Sequence, residues 1–259
     1  MTADTSIRTR NLAHLLVDRL DEAANEHGYR ISKGEAAGWR FYGSATAPRE
    51  IALAAVGFEG PFFLSIEHQG VAKDVSFPEA TPAARGHAAA YAFATRDEFY
   101  GAVKEVYRKS ISLPTHPLEL FRKETETLGD TEADRNQRVR IGQNIFRESL
   151  LDYWNCGCPM TGITNPELLR ASHIIPWAKC DSDDERLNVY NGLLLSSLWD
   201  AAFDAGLLTF ADDGEPIVSK RASEAAKRAL ISSPAPPLQL HSEHRERLAW
   251  HRAYVFVGE

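Results

Sequence analysis

The sequence predicts an α+β protein built from two domains. The first part of the chain has an amphipathic helical pattern followed by short aromatic and β-branched segments. An acidic, turn-rich stretch follows it, and the second part has the order strand, strand, short helix. The chain has 259 residues, of which 44% are hydrophobic and 25% charged. This ordinary globular composition excludes intrinsic disorder, collagen and coiled-coil arrays.

The first domain is predicted from its periodicity and its turn residues. Leucines spaced three and four apart predict a helix from about residue 10 to residue 27, which Gly28 ends. Thr95 and Glu98 form a capping box that opens a second helix, and Pro114 limits it. Predicted strands of an antiparallel meander lie at 39–42, 51–56 and 62–66. Residues 1–113 are therefore expected to form a small α+β domain.

The second domain is predicted to begin after an acidic linker at 114–137, which holds at most one short helix near 118–127. A helix from 138 to about 154 opens the domain. Strands are predicted near 168–175 and 192–195, with a short helix at 197–204. A small hairpin (207–210 and 217–219) and a final helix (243–254) complete the domain 138–259.

Charge and apolar content bear on the partners and the compartment. The net charge of −7 opposes nucleic-acid binding, so a DNA contact would need local arginine clusters such as Arg135, Arg138, Arg140 and Arg147. An apolar run such as 51–56 is far shorter than the ~20 residues that a membrane helix requires. The start of the chain lacks a signal-peptide pattern. We expect a cytoplasmic protein with no membrane partner.

The cysteines predict neither a disulfide framework nor a structural zinc. Cys156, Cys158 and Cys180 are odd in number and close together, which favours a reducing compartment. The Cys-x-Cys spacing differs from the usual Cys-x-x-Cys, and no second pair lies downstream. Buried thiols are favoured over a bound Zn²⁺.

The second domain carries three main motifs in order, ASHIIPW (171–177), NVYNGLLL (188–195) and LWDAAFDAG (198–206). Further motifs lie at 158–162 (CPMTG) and near 250–256. Together they resemble the HNH endonuclease family, in particular its branch from bacterial restriction and defence proteins, and the resemblance covers about 138–259. The resemblance implies that the α+β domain is followed by a ββα-metal nuclease domain with flanking helices.

The resemblance also implies roles for individual residues. His173 would be the general base for phosphodiester hydrolysis, and Asn191 would hydrogen-bond the backbone or the imidazole to orient it. Asp200 and Asp204, four positions apart on one helical face, and Ser172 would hold a divalent metal ion. Oxygen ligands of this kind suit Mg²⁺ or Mn²⁺. Residues that could contact DNA phosphates are Arg147, Arg170, Lys179 and His251.

Each of these residues has an alternative interpretation. Ser172 and Trp199 stand where many family members carry a metal-binding Asp or His, which leaves the full ligand set open. Asn191 before Gly192 is typical of a turn, and Asp200 follows Ser197 in a helix-capping pattern. His173 could be a buried structural histidine, and the basic residues could be solvated or paired.

The aromatic residues of the first domain admit two interpretations. They are Trp39, Phe41, Tyr42, Phe58, Phe62 and Phe63, with Arg40 and Arg49 beside them. They could form a pocket that stacks a flipped or modified base, but an ordinary sheet core is favoured. The leading functional hypothesis is a metal-dependent DNA endonuclease of restriction or defence, with a specificity or sensing domain at residues 1–113. The alternatives are a non-catalytic DNA-binding or effector-sensing protein and an RNA-directed nuclease. Cutting of both DNA strands would imply a homodimer.

Overall fold

The computed structural model describes residues 14–231 and 236–258. The chain divides into two compact units, Met1–Ile111 and Ser112–Glu259. Helices and strands are mixed in the chain, which confirms the α+β class. Within the described residues, no helix is long and apolar enough to cross a membrane.

The first unit is built on a six-stranded antiparallel sheet with the order β1-β2-β3-β4-β6-β5. Its strands are β1 (Ile31–Ala36), β2 (Trp39–Gly43), β3 (Ile51–Ala55), β4 (Phe62–Ile66), β5 (Glu79–Ala80) and β6 (Ala89–Phe93). Its helices are α1 (His14–Glu26), α2 (Gln69–Asp74) and α3 (Arg96–Ser112). Every residue of the central strands β3 and β4 is buried, so both faces of the sheet are covered there.

The aromatic residues of this unit mostly fill its core. Trp39 and Phe63 belong to one buried cluster with several alanines. Phe62 stacks on Phe99 of α3 with the ring centroids 5.1 Å apart. Phe58 differs, because it is 46% exposed and lies under the Arg19 guanidinium at 3.8 Å. The favoured interpretation of these aromatic residues, a sheet core, fits the burial seen here.

The second unit contains a strand pair, a hairpin and six helices within its described residues. Its strands are β7 (Leu169–His173), β8 (Gly192–Ser196), β9 (Leu208–Phe210) and β10 (Pro216–Val218). Its helices are α4 (Thr115–Thr125), α5 (Glu132–Tyr153), α6 (Asp183–Leu187), α7 (Ser197–Asp204), α8 (Glu224–Ile231) and α9 (Ser242–Tyr254). β7 and β8 pair antiparallel, and β9 and β10 form the second antiparallel pair.

The segment expected to be a linker is largely helical. α4 and the first turn of α5 lie inside 114–137, and α5 begins at Glu132 because Thr131 and Asp134 form a capping box. The usual capping box has Glu or Gln where this chain has Asp134. The sequence therefore predicts the start of α5 at residue 138, whereas the helix begins at Glu132. Gly142 of α5 lies close to Phe121 of α4, since a Cβ there would meet that ring at 3.3 Å. α4 therefore packs on α5 within the second unit.

The strand pair β7–β8 is enclosed by helices. α7 contacts both strands, and the buried face of α5 lies against them from within the same unit. Gly192 at the start of β8 allows this approach, because a Cβ there would lie 2.5 Å from Phe146 and 2.8 Å from Leu150 of α5. The result is a ββα arrangement in which the end of β7 faces the start of β8, where His173 pairs with Gly192.

Candidate active site

His173 occupies the last position of β7 and lines a pocket of about 400 Å³. Polar pocket residues include Ser172 of the same strand, Asp204 of α7 and His251 of α9. Trp177, which follows the strand in a short helical turn, also lines the pocket. The ββα arrangement thus brings an imidazole and a carboxylate to one cavity.

The surroundings of His173 fix its protonation and its orientation. Its Nε2 lies 2.9 Å from the carbonyl oxygen of Arg186. Because a carbonyl only accepts hydrogen bonds, we assign the proton to Nε2 and leave Nδ1 as the free acceptor. The ring stacks on Phe146 at 3.8 Å and meets the Trp177 ring edge-on at 5.6 Å. Burial lowers the pKa of His173, and the Arg186 hydrogen bond opposes this only in part. The imidazole is therefore neutral at neutral pH.

Asn191 holds the backbone around the imidazole. Its Oδ1 accepts from the Ile175 amide at 2.9 Å, and its Nδ2 donates to the carbonyls of Ile175 at 3.2 Å and Glu185 at 3.3 Å. Glu185 precedes Arg186, whose carbonyl orients His173. In the described structure the Asn191 side chain bonds the backbone and not the imidazole, which is one of the two arrangements that the sequence left open.

Two carboxylates lie one turn apart on α7, next to the strand pair. Asp200 accepts a hydrogen bond from the Ser172 hydroxyl, so Ser172 supports this carboxylate. Desolvation, and after it the negative charge of Asp200, raises the pKa of Asp204. This mutual repulsion of the two carboxylates would be relieved by a cation.

The donor set fits a hard divalent ion that keeps part of its water shell. Among the described residues, no group of three His, Cys, Asp or Glu side chains is placed to hold a metal. Mg²⁺ is commonly bound by one or two carboxylates together with waters and substrate phosphate. The pair Asp200 and Asp204 matches that requirement, and the Ser172 hydroxyl is engaged with Asp200.

The basic residues expected to contact phosphate are placed differently from one another. Arg147 donates to the carbonyls of Leu169 at 2.9 Å and Pro166 at 2.7 Å, so it fastens the start of β7 to α5. Arg170 is exposed and donates to the Glu167 carbonyl at 2.9 Å. Lys179 is exposed. Arg147 and Arg170 therefore already donate hydrogen bonds to backbone carbonyls.

His251 lines the pocket but is mostly buried in the core, with both ring nitrogens engaged within the protein. The residue is 1% exposed, and its ring stacks on Phe203 at 3.9 Å. Its Nδ1 lies 3.0 Å from the Thr209 hydroxyl and its Nε2 lies 3.3 Å from the Phe203 carbonyl. Both nitrogens are thereby engaged, and burial lowers the pKa of His251 to about 4.

The three cysteines are free thiols in different settings. Cys156 is exposed, whereas Cys158 and Cys180 are buried. The Cys180 sulfur lies 3.4 Å from Asn191 Nδ2, and burial raises the pKa of this thiol to about 11. Cys180 is therefore a protonated packing residue behind the site.

Two residues of the site were missed by the sequence reasoning. Arg186 contributes only a backbone carbonyl, and no side-chain pattern announces that role. Phe146 lies on α5, 27 positions before His173 at the end of β7, although it is part of the sequence that resembles the family.

Comparisons with known proteins gave one match. A search of curated protein sequences found no match to the chain. A family description, HNH endonuclease, matches residues 158–211, which include β7, β8 and α7 with His173 and both carboxylates. An HNH domain indicates a nuclease. The segment 158–211 of this chain belongs to the HNH endonuclease family.

Proposed function

We propose that this protein is a metal-dependent HNH endonuclease that hydrolyses phosphodiester bonds of DNA. The observation that carries the proposal is the hydrogen bond from His173 Nε2 to the Arg186 carbonyl. It leaves Nδ1 unprotonated, and the lowered pKa of His173 keeps the ring neutral at neutral pH. A neutral imidazole beside a carboxylate in one pocket is the arrangement that base-catalysed hydrolysis requires.

In this mechanism each residue has a defined task. His173 Nδ1 takes a proton from the water whose oxygen attacks the scissile phosphorus, while Phe146 and the Arg186 carbonyl hold the ring in place. Asp200 and Asp204 would hold the divalent ion, Mg²⁺ or Mn²⁺, and Ser172 positions Asp200. When bound, such an ion neutralises charge on the scissile phosphate and the leaving oxygen.

The test of this proposal is plasmid cleavage with and without His173. His173→Ala should lose at least ~100-fold in cleavage rate, which is the usual contribution of a general base. His116→Ala is the matched control, because His116 is a partly buried histidine of the same unit, also with a lowered pKa, and lies on α4 outside the pocket. EDTA should abolish cleavage, and Mg²⁺ or Mn²⁺ should restore it.

The pH profile provides a second readout of the base. Because burial lowers the pKa of His173, kcat/KM should rise with pH through a value below 6.5 and then stay level. Equal cleavage by wild type and His173→Ala would refute the assignment. An equal rate on RNA would identify an RNA-directed nuclease, and metal-independent DNA binding without cleavage would favour the non-catalytic alternative.

The biological setting belongs to the same proposal. We place the protein in restriction or defence, with the first unit as a specificity or sensing domain, since a nuclease without a reader would cut indiscriminately. A fragment of residues 112–259 contains every catalytic candidate together with α4. It should cut DNA with reduced affinity and lose the preference of the full chain among DNAs of different sequence or cytosine modification. A fragment that keeps this preference would assign the first unit to dimerisation or another protein contact instead.

A further inference from the structure

A second pocket, of about 290 Å³, lies in the same unit and shares Trp177 with the first. Helices α4, α5 and α6 contribute its walls. Its apolar lining residues are Phe121, Val139 and Trp177. Trp177 packs on α5 there, since a Cβ at Gly142 would lie 2.6 Å from its ring. The Trp177 ring is thus held between two cavities.

The other lining residues of this pocket are charged. They are Arg135, Arg138 and Arg186, together with one acidic residue, Asp183. Asp183 is paired with Arg186 at 3.0 Å, so its charge is already balanced. Arg135 donates to the Asp130 carbonyl, which is uncharged. Two positive charges of the pocket therefore lack a carboxylate partner within the described structure, although the whole chain is acidic.

The distance to the catalytic imidazole limits what can occupy the pocket. The ring centroids of Trp177 and His173 are 5.6 Å apart, which is less than two of the ~3.4 Å steps between nucleotides of one stacked strand. Arg186 also belongs to both regions, because its carbonyl accepts from His173 and its side chain lines the second pocket. A ligand of the second pocket therefore lies within a few nucleotides of a phosphate at His173.

We propose that this second pocket binds a nucleotide of the cut DNA strand, at a position beside the cleaved bond. The phosphate would contact Arg138 and Arg135, and the base would lie against Val139 and Trp177. A nucleotide combines an anionic group with a flat ring that can stack, which matches the cationic and apolar residues that line the cavity. This inference rests on the proposed function, because DNA at His173 brings the neighbouring nucleotide to the pocket.

The test measures binding of a short fluorescein-labelled DNA duplex by full-length protein in EDTA, by fluorescence anisotropy. Arg138→Gln should weaken binding about tenfold, the scale of one lost charged hydrogen bond. It should also reduce the slope of log K against log salt by about 0.9, as expected for one lost phosphate contact. Arg122→Gln is the matched control: Arg122 is exposed, lies on α4 next to Phe121 and is outside the pocket lining. It should leave the slope unchanged.

A second variant tests the base. Val139 is 38% exposed, so Val139→Trp should fill the pocket without opening the core. In wild-type protein, removal of the base at one position beside the cleaved bond should weaken DNA binding. In Val139→Trp, where the pocket is filled, removal of the same base should no longer change DNA binding.

Equal slopes for Arg138→Gln and Arg122→Gln overturn the inference, and so does an unchanged abasic effect in Val139→Trp. If wild-type protein still cuts plasmid in a His173-dependent manner, only the pocket assignment fails. If wild-type protein neither binds nor cuts DNA, the proposed function fails with it.

Discussion

The buried His251 should make the stability of the second unit depend on pH. Replacement by Gln removes the titrating ring, while a side-chain amide remains that can donate toward the Phe203 carbonyl. In the unfolded chain His251 titrates near its ordinary pKa of 6.5, whereas burial lowers its pKa to about 4 in the folded protein. Between these values the unfolded state binds the extra proton, so the free energy of unfolding falls as pH falls.

The size of this effect follows from the two pKa values. At ~1.4 kcal/mol for each pH unit, the interval from 6.5 down to about 4 corresponds to about 3 kcal/mol of unfolding free energy. The contribution is intact above pH 6.5, decreases through that interval, and is fully lost below pH 4. Since a marginally stable protein has only ~5–15 kcal/mol in total, this loss is measurable.

The assay is urea unfolding followed by tryptophan fluorescence at several pH values. Four of the five tryptophans lie in the second unit, so the signal reports mainly on the part that contains His251. His251→Gln should have a shallower dependence on pH than wild type, by about 3 kcal/mol between pH 6.5 and 4. Thr209→Val is the control, because it removes the hydroxyl at 3.0 Å but keeps the titrating ring. Parallel curves for wild type and His251→Gln would refute the burial argument.

Two further sets of variants test the metal pair and the first unit. Asp200→Asn and Asp204→Asn should each weaken Mn²⁺ binding in calorimetry. The double variant should be little worse than the more damaging single variant, since the two carboxylates act together. Additive effects on stability with unchanged Mn²⁺ affinity would instead favour a helix-capping role. Gly28→Ala should lower the unfolding free energy by about 2–4 kcal/mol, because its φ is +87° and the new Cβ would lie 2.2 Å from the Tyr107 ring. Gly34→Ala, with a φ of +97° and open space around it, should lose only about 1–2 kcal/mol, and equal losses in thermal unfolding would contradict the steric reasoning.

The parts of the fold that sequence predicts well have strong local signals. The helix at 197–204 was predicted with the bounds that the structure shows, because Gly206 follows it and apolar residues lie on one face. β1 was missed, because all six of its residues are exposed and its sequence lacks an alternation of apolar and polar residues. β6 was missed for another reason: three of its five residues are alanines, which have weak strand preference.

The candidate site shows the same division between local and distant information. His173 and the carboxylates were found through the family resemblance, which is carried by short motifs. The environment of His251 depends on Thr209, 42 positions earlier, so its burial leaves no mark in the local sequence. The orientation of His173 depends on a carbonyl, and every residue has one. These relationships exist only after the chain has folded.

In the proposed mechanism, the stacking of Phe146 on His173 also constrains how the base would be reset after each turnover. One ring face is covered and Nε2 is committed to the Arg186 carbonyl, so Nδ1 would remain the nitrogen that exchanges protons. A proton taken up at Nδ1 would then have to leave from the same atom, to the leaving oxygen or to solvent.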